Sequence, residues 1–297
     1  MMQFLLIFLL AAQLTLIPNH GVLRIAVAGD TGKGADAVAE GISRVHATTP
    51  LNAIILAGDT FYPCGVTSER DPRWSLVRPL TAIGVPVFPV LGNHDFCGKS
   101  DPDAQVHASS VVANWNFPAR QYMVRGGVAD FAFIDTTSYL RHKSDPNLAD
   151  VFRSSTAPWR IVVGHHPIIS SGYHGYFPRD EVKRMRELIP SLRESNIAFY
   201  IGGHDHHEEL IRGRMLHLIS GAGSSPVPPV KLRVSTIYPP EIRPERIGFA
   251  VVEIDAKAIR VRFYDAKGNP KSEWIRTDRT SSRRSQTTSS PSTPPPD

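Results

Sequence analysis

Five times in this chain a short, apolar run ends at glycine and is followed at once by side chains able to bind a metal ion. Val22–Ala28 leads into Gly29-Asp30, Ala53–Ala57 into Gly58-Asp59-Thr60-Phe61-Tyr62, and Val85–Leu91 into Gly92-Asn93-His94-Asp95. Ile161–Val163 leads into Gly164-His165-His166, and Ala198–Ile201 into Gly202-Gly203-His204-Asp205-His206-His207. Runs of that length between Gly, Asp or Asn read as buried strands. Glycine lets the chain turn sharply, so the side chains that follow arrive close to the strand end. In α/β sheets that end is where ligands bind. One Gly-Asp or Asn-His alone reads as a turn; five in series predict a shared metal site.

The intervening segments fit the same plan. Leu216–Ile219 is a sixth buried run, and Ala35–Val45, Pro72–Ile83 and Asp180–Leu192 are amphipathic or polar, predicting helices. Strands alternating with helices define an α/β fold with helix-covered sheets. Tyr122–Val124, Val128–Ile134, Phe249–Ile254 and Arg260–Tyr264 lack intervening helices and predict antiparallel additions, hence a mixed sheet. No internal repeat is visible. The chain has 297 residues, of which 41% are hydrophobic and 21% charged, enough apolar mass for a core and too much for disorder. Two cysteines cannot make a disulfide scaffold, so the fold stands on its core.

Both ends differ from this pattern. Phe4–Ile17 is shorter than the roughly 20 apolar residues of a membrane-spanning helix and suits the core of a signal peptide. Its flanks lack the usual Lys or Arg and a clear cleavage site, so an uncleaved anchor and a misplaced start are the alternatives. The expected location is secreted or periplasmic, with membrane contact only through such an anchor. Thr277–Asp297 holds no apolar residue able to join a core and reads as a flexible, solubilising tail. Residues 1–20 are thus assigned to a leader or anchor, 21–276 to a catalytic domain, and 277–297 to a disordered tail. Arg279, Arg283 and Arg284 contribute to the net charge of 33 − 28 = +5, so that charge is no sign of nucleic-acid binding.

The donor types narrow the chemistry. Carboxylate, amide oxygen and imidazole suit iron, manganese or zinc, and the strand-end sets contain no cysteine. About seven donors are too many for one ion and fit two sharing a carboxylate, an arrangement suited to phosphate-ester hydrolysis. Other readings fail by spacing. The phosphate-loop pattern ending at Gly32-Lys33 needs glycine at position 27, where Val27 stands; Gly221–Pro226 breaks the dinucleotide fingerprint; no Gly-x-Ser-x-Gly elbow occurs.

The order GD, GDTFY, GNHD, VVGH, GHDH resembles the calcineurin-like metallophosphoesterases, and Tyr62 narrows the likeness to the purple acid phosphatases. GHHPIISSGYHG and NWNFP are similar to their short, single-domain, tartrate-resistant branch. The likeness runs from about Val22 to about Gly223 and implies a four-layer αββα sandwich, two mixed β-sheets flanked by helices. By that resemblance one metal takes Asp30, Asp59, Tyr62 and His206, and the other Asp59, Asn93, His165 and His204, with Asp59 bridging. The phenolate favours Fe(III); neutral Asn93 leaves the second site to Fe(II), Zn(II) or Mn(II). The implied activity is that of an acid phosphatase on small-molecule or protein phosphate monoesters. Metal-held hydroxide would attack phosphorus in line, and His94 and His174 would bind phosphate and protonate the leaving group. The alternative within the superfamily is a phosphodiesterase or nucleotidase. A non-catalytic relic is a third reading, but it requires lost ligands, and none is missing. A monomer is expected.

The remaining features carry weaker expectations. His166 and His207 would face away from the metals as supporting partners, Asp95 and Asp205 would orient neighbouring imidazoles or lie exposed, and His217 would be a strand residue with a satisfied hydrogen bond. The four tryptophans are expected to pack rather than to stack bases. Thr31 replaces an aromatic residue usual in the animal enzymes of the branch, and Arg141–Val151 lies where those enzymes carry a long insert and reads as polar and mobile. The resemblance makes the Cys64 and Cys97 loops neighbours, leaving either a disulfide at the rim of the metal site or two free thiols. No Asn-x-Ser/Thr site is present, so a secreted form would lack N-glycans.

Overall fold

The unbroken apolar character of the strands has a plain cause: both of their faces are covered. In the computed structural model, which describes residues 14–143, 146–176, 180–231, 233, 235–238 and 246–277, alternate residues of one strand enter different cores. Leu23, Ile25 and Val27 point between the sheets, while Ala26 and Ala28 point outward beneath a helix. Small side chains there let the helix come close. Residues 4–13 of the apolar run and residues 278–297 of the tail lie outside the described residues.

The strands are Leu14–Thr15 (β1), Leu23–Ala28 (β2), Ala53–Leu56 (β3), Val87–Pro89 (β4), Tyr122–Arg125 (β5), Ala129–Phe133 (β6) and Trp159–Val163 (β7). There follow Phe199–Gly202 (β8), Glu208–Ile211 (β9), Leu216–Ser220 (β10), Thr236–Tyr238 (β11), Gly248–Ile254 (β12), Ala258–Asp265 (β13) and Pro270–Thr277 (β14). The helices are Ala35–Thr48 (α1), Arg78–Thr81 (α2), Pro102–His107 (α3), Thr136–His142 (α4), Leu148–Val151 (α5), Tyr173–Tyr176 (α6), Asp180–Arg186 (α7) and Ile189–Glu194 (α8). Sheet one runs β1-β5-β6-β7-β8-β10-β9-β11 and sheet two β14-β13-β12-β2-β3-β4. Both are mixed: β2-β3-β4 and β6-β7-β8-β10 are parallel, with antiparallel neighbours outside them.

Three cores hold the layers together. The central one joins the inner faces of the sheets through Ile25, Ile55, Phe131, Ile161, Ile201, Leu218 and Val252. The second lies under α1, where Val38, Ile42 and Val45 meet Ala26, Ile54 and Leu56. In the third, Leu148, Met185, Leu188 and Leu192 cover the outer face of sheet one. Each such aliphatic side chain contributes about 1.5–3 kcal/mol when fully buried. The result is the expected αββα arrangement.

The structure departs from the sequence reading at several elements. Pro72–Ile83 is not one helix: a 3-10 turn, Pro72–Leu76, is followed by α2, because Pro79 cannot extend the preceding turn. Asp180–Leu192 breaks into α7 and α8 at Pro190 for the same reason. Arg141–Val151 contains the turn α5 with Leu148 buried. At the amino terminus, β1 pairs with β5 and Leu16 enters the central core, so ordered structure begins before residue 21. No helix among the described residues is long and apolar enough to cross a membrane.

Candidate metal centre

All five glycine-led turns stand at one end of the sheets, and their side chains meet. Glycine is required sterically: a Cβ on Gly58 would lie 2.4 Å from His165 Nδ1, and one on Gly92 would lie 2.0 Å from Asp59 Oδ1. Beyond the glycines, Asp30, Asp59 and His204 take left-handed backbone conformations, with φ of 55°, 49° and 69°. Such angles cost non-glycine residues about 1–3 kcal/mol each and cluster at functional sites.

Two groups of donor atoms result. Tyr62 Oη lies 3.0 Å from Asp30 Oδ1, 3.3 Å from Asp59 Oδ2 and 3.3 Å from His206 Nε2. His165 Nε2 lies 3.1 Å from Asn93 Oδ1, 3.3 Å from Asp59 Oδ2 and 3.2 Å from His204 Nδ1. Asp59 Oδ2 belongs to both groups. A tetrahedron of ligands about 2.05 Å from an ion has edges of roughly 3.3 Å, so these separations fit a cation inside each group.

The outer atoms explain why these particular atoms face inward. His165 Nδ1 donates to the Ala57 carbonyl at 2.8 Å and His206 Nδ1 to the Ser225 carbonyl at 3.3 Å, so in each ring Nε2 keeps the lone pair. In His204 the roles are reversed: Nε2 meets Glu181 Oε1 at 3.0 Å and Nδ1 turns inward. Asp30 Oδ2 accepts the His204 N–H and Asp59 Oδ1 the His94 N–H, both at 2.8 Å, leaving their partner oxygens to the centre. The fit to metal therefore rests on tautomer and lone-pair direction as well as on residue type.

The charge balance points the same way. Burial works to raise the Asp59 pKa, but the imidazoles of His165, His94 and His204 overcome it and hold the carboxyl at about 2. Burial and then the carboxylates of Asp30 and Asp59 push the Tyr62 phenol upward. His165 is opposed by burial yet raised to about 10, chiefly by Asp59. Buried anions gathered this closely call for positive charge, which a metal ion supplies without protonating a donor.

His94 and His174 stand outside both groups, at the mouth. His94 donates Nδ1–H to the Pro63 carbonyl at 2.6 Å, its ring packs 4.5 Å from that of Tyr62, and its Nε2 is 3.9 Å from Asp59 Oδ2. The His174 ring lies 3.9 Å from that of His204, and its backbone N–H donates to Asp205 Oδ1 at 3.0 Å. Asp205 thus orients a neighbouring histidine, through the backbone. Asp95 is buried and accepts from Gly92 N–H and Gln105 Nε2, bracing the Asn93 turn. His166 bonds Thr136 Oγ1 at 2.8 Å, but it does not face away as expected: it offers a ring nitrogen within 4.8 Å of ligand atoms of His165 and His204, and the three could hold a metal ion together. His207 bonds Glu209 at 3.1 Å, outside the donor groups. Cys64 and Cys97 form a disulfide that ties the Tyr62 loop to the Asn93 loop. Trp74 and Trp115 are buried against each other, as packing residues.

Glu181 is the residue that motif reading missed. It bonds His204 Nε2, and His174 Nδ1 lies 3.8 Å away. Burial raises its pKa, but His204 outweighs this and holds it low. No motif marks it; its only signal is its place in the first turn of the helix after the His174 loop. Clefts flank the centre, one of about 260 Å³ beside His174, His204 and His206, and one of about 340 Å³ beside Asn93, Arg141 and Arg184.

The fold and these donor groups are those of a binuclear phosphoesterase, and the comparisons agree. Residues 23–208, well over half of the chain, match the calcineurin-like phosphoesterase family, and the chain belongs to it. It is 28% identical to purple acid phosphatase 3 of Arabidopsis thaliana, over 87% of this chain and 79% of that one. It is 26% identical to tartrate-resistant acid phosphatase type 5 of Sus scrofa, over 83% and 84%. Among solved structures, GAP50, the anchor in the inner membrane complex of Plasmodium, superposes with a TM-score of 0.71 at 24% identity, covering 87% of this chain and 90% of that one. That likeness shows the shared fold.

Proposed function

We infer that this protein is a binuclear metal-dependent acid phosphatase acting on phosphate monoesters. The observation that carries the reading is the pair of donor groups sharing Asp59 Oδ2, in which Asp30, Asp59, His165, His204 and His206 each bond an outer neighbour through one atom and turn the other inward. Its relatives' names support the reaction class. Asp30, Asp59, Tyr62 and His206 would hold Fe(III), and Asp59, Asn93, His165 and His204 would hold Fe(II), Zn(II) or Mn(II). The ions would supply the charge that activates water and neutralises the phosphoryl oxygens.

The chain's own groups do the rest. The clefts admit the ester beside Asn93 and His174. His94, whose Nδ1–H is committed to Pro63, presents Nε2 to the centre and, when protonated, donates from it. His174, set against His204, faces the departing alcohol from the other side. Together they protonate the leaving oxygen, a step worth about 10²–10⁴ in rate. His94→Ala and His174→Ala are each expected to lower kcat within that range while metal content stays at the wild-type level. Loss of metal in either variant would move that histidine from proton transfer to site assembly.

We infer export to an oxidising compartment, a reading supported by the disulfide and by the apolar run at residues 4–17. We also infer a monomer that does not bind nucleic acid.

The visible absorption spectrum with metal analysis tests the reading. Two metals per chain and a broad visible band that disappears in Tyr62→Phe are the expected result. A colourless two-metal protein that turns over bis-esters faster than monoesters would replace it with the diesterase reading. A protein that holds no metal after reconstitution would end the mechanism.

A further inference from the structure

The two clefts beside the donor groups differ in chemistry. The one beside Asn93 is lined by Arg141, Arg184, Asp180 and Glu181, charged side chains of both signs. The one beside His174, His204 and His206 is walled by Tyr173, Val227 and Pro228, and among the described residues no Lys or Arg lines it. Its carboxylate, Asp205, is 3% exposed and accepts from the His174 N–H. Gly172 covers that carboxylate, since a Cβ there would lie 2.4 Å from the Asp205 carboxyl carbon.

Five large apolar side chains are exposed among the described residues. Three of them, Tyr173, Val227 and Val230, belong to two segments that meet beside His174. Scattered exposed apolar residues are ordinary, whereas a set gathered at a cleft marks a ligand site. The wall is also fixed in place. Residues 225–231 cross from the His206 turn to the loop carrying His174. The Ser225 carbonyl meets His206 Nδ1 at 3.3 Å, Val227 N–H donates to the His206 carbonyl at 2.7 Å, and Val230 N–H donates to the Ser171 carbonyl at 3.0 Å. Pro226, Pro228 and Pro229 fix φ along the crossing. Val227, 53% exposed, is thereby tied to the backbone of a proposed metal donor, and Tyr173, 47% exposed, precedes His174.

We propose that this cleft receives the alcohol part of the substrate, that the substrates are phosphate monoesters of apolar alcohols, and that Val227 and Tyr173 select them. The inference rests on the phosphatase reading, which sets the phosphoryl group at the donor groups and the departing alcohol before His174. From there an alkyl chain runs along Val227, Pro228 and Tyr173. A fully buried methylene is worth about fourfold in affinity. A wall on one side of an open cleft supplies about twofold, so four added methylenes together give about tenfold.

The test uses the metal-loaded, full-length protein and calorimetric titration with three phosphonates, which are not hydrolysed: ethylphosphonate, hexylphosphonate and 5-hydroxypentylphosphonate. Hexylphosphonate is expected to bind about tenfold more tightly than the other two, and saturating inorganic phosphate is expected to displace all three. Val227→Ser and Tyr173→Ser are each expected to cut the hexyl-to-ethyl ratio about threefold, and the double variant to bring it near one. Both positions are exposed, so neither change disturbs a core. Equal affinities for hexyl- and ethylphosphonate, a ratio unmoved in the double variant, or hexylphosphonate retained against saturating phosphate would each overturn the wall. Turnover of ethyl phosphate is measured in parallel. Turnover with equal phosphonate affinities would remove the apolar preference alone, and no turnover with the preference intact would remove the phosphatase reading alone.

Discussion

Asp59 and His217 show two ways in which a buried titratable residue is accommodated. Asp59 is held at about pKa 2 by the histidines around it, in spite of burial. His217 has little such help: burial lowers its pKa to about 4, with only a small opposing pull from the Met215 backbone and Glu209. Unfolded histidine titrates near 6.5. A base whose pKa falls on folding stabilises fully above the unfolded value and loses that contribution as pH drops towards the folded one. Wild-type stability should thus fall by about 3 kcal/mol more than that of His217→Leu between pH 7 and pH 4. Denaturant midpoints at the two pH values give the difference, and parallel pH profiles would refute it. The proposed metal donors are readable in the sequence because each follows an apolar run and a glycine. Glu181 is not, because it reaches His204 from a helix with no such punctuation.

Among the elements, β1 departs most from its sequence signature. An apolar run before a polar turn reads as a leader, yet Leu14–Thr15 pairs with β5 and Leu16 is buried between the sheets. A chain starting at Gly21 is expected to be about 2–4 kcal/mol less stable than one starting at Leu14, from the loss of one buried leucine, a partly buried one and their strand pairing. Equal denaturant midpoints would contradict this. The disulfide is a second element-scale constraint, closing a sequence separation of 33 residues. Replacing both cysteines by serine should cost about 3–4 kcal/mol on the loop-entropy account; an unchanged melting midpoint would show that the loops hold themselves. β14 and β9 escaped the reading for opposite reasons. β14 begins with proline and carries Lys271, Glu273 and Arg276, the polar dress of an edge strand. β9 follows the histidine turn so closely that its EELI reads as loop.

For the whole molecule, the α/β class was legible because strands buried on both faces leave continuous apolar runs. The pairing order was not, since β12 joins β2 across more than two hundred residues of sequence and nothing local encodes that choice. Both donor groups draw on both sheets: Asp30, Asp59, Tyr62 and Asn93 come from sheet two, and His165, His204 and His206 follow strands of sheet one. Metal removal should therefore lower the melting temperature of the entire domain. A metal present at a hundred times its dissociation constant contributes about 2.7 kcal/mol, or roughly 5–10 °C for a domain of this size. Calorimetry before and after chelation checks this, and an unshifted transition would mean that the centre is not coupled to the fold.

That division of donors means that no contiguous half of the chain owns a working centre. Coordination becomes possible only after the two sheets have closed on each other, so colour and turnover would appear as late events in refolding, after the secondary structure is in place. A substitution at Phe131 or Val252, remote from any donor but on the seam between the sheets, would be felt first as weakened metal retention. The centre thus serves as a latch that registers whether the two halves have met.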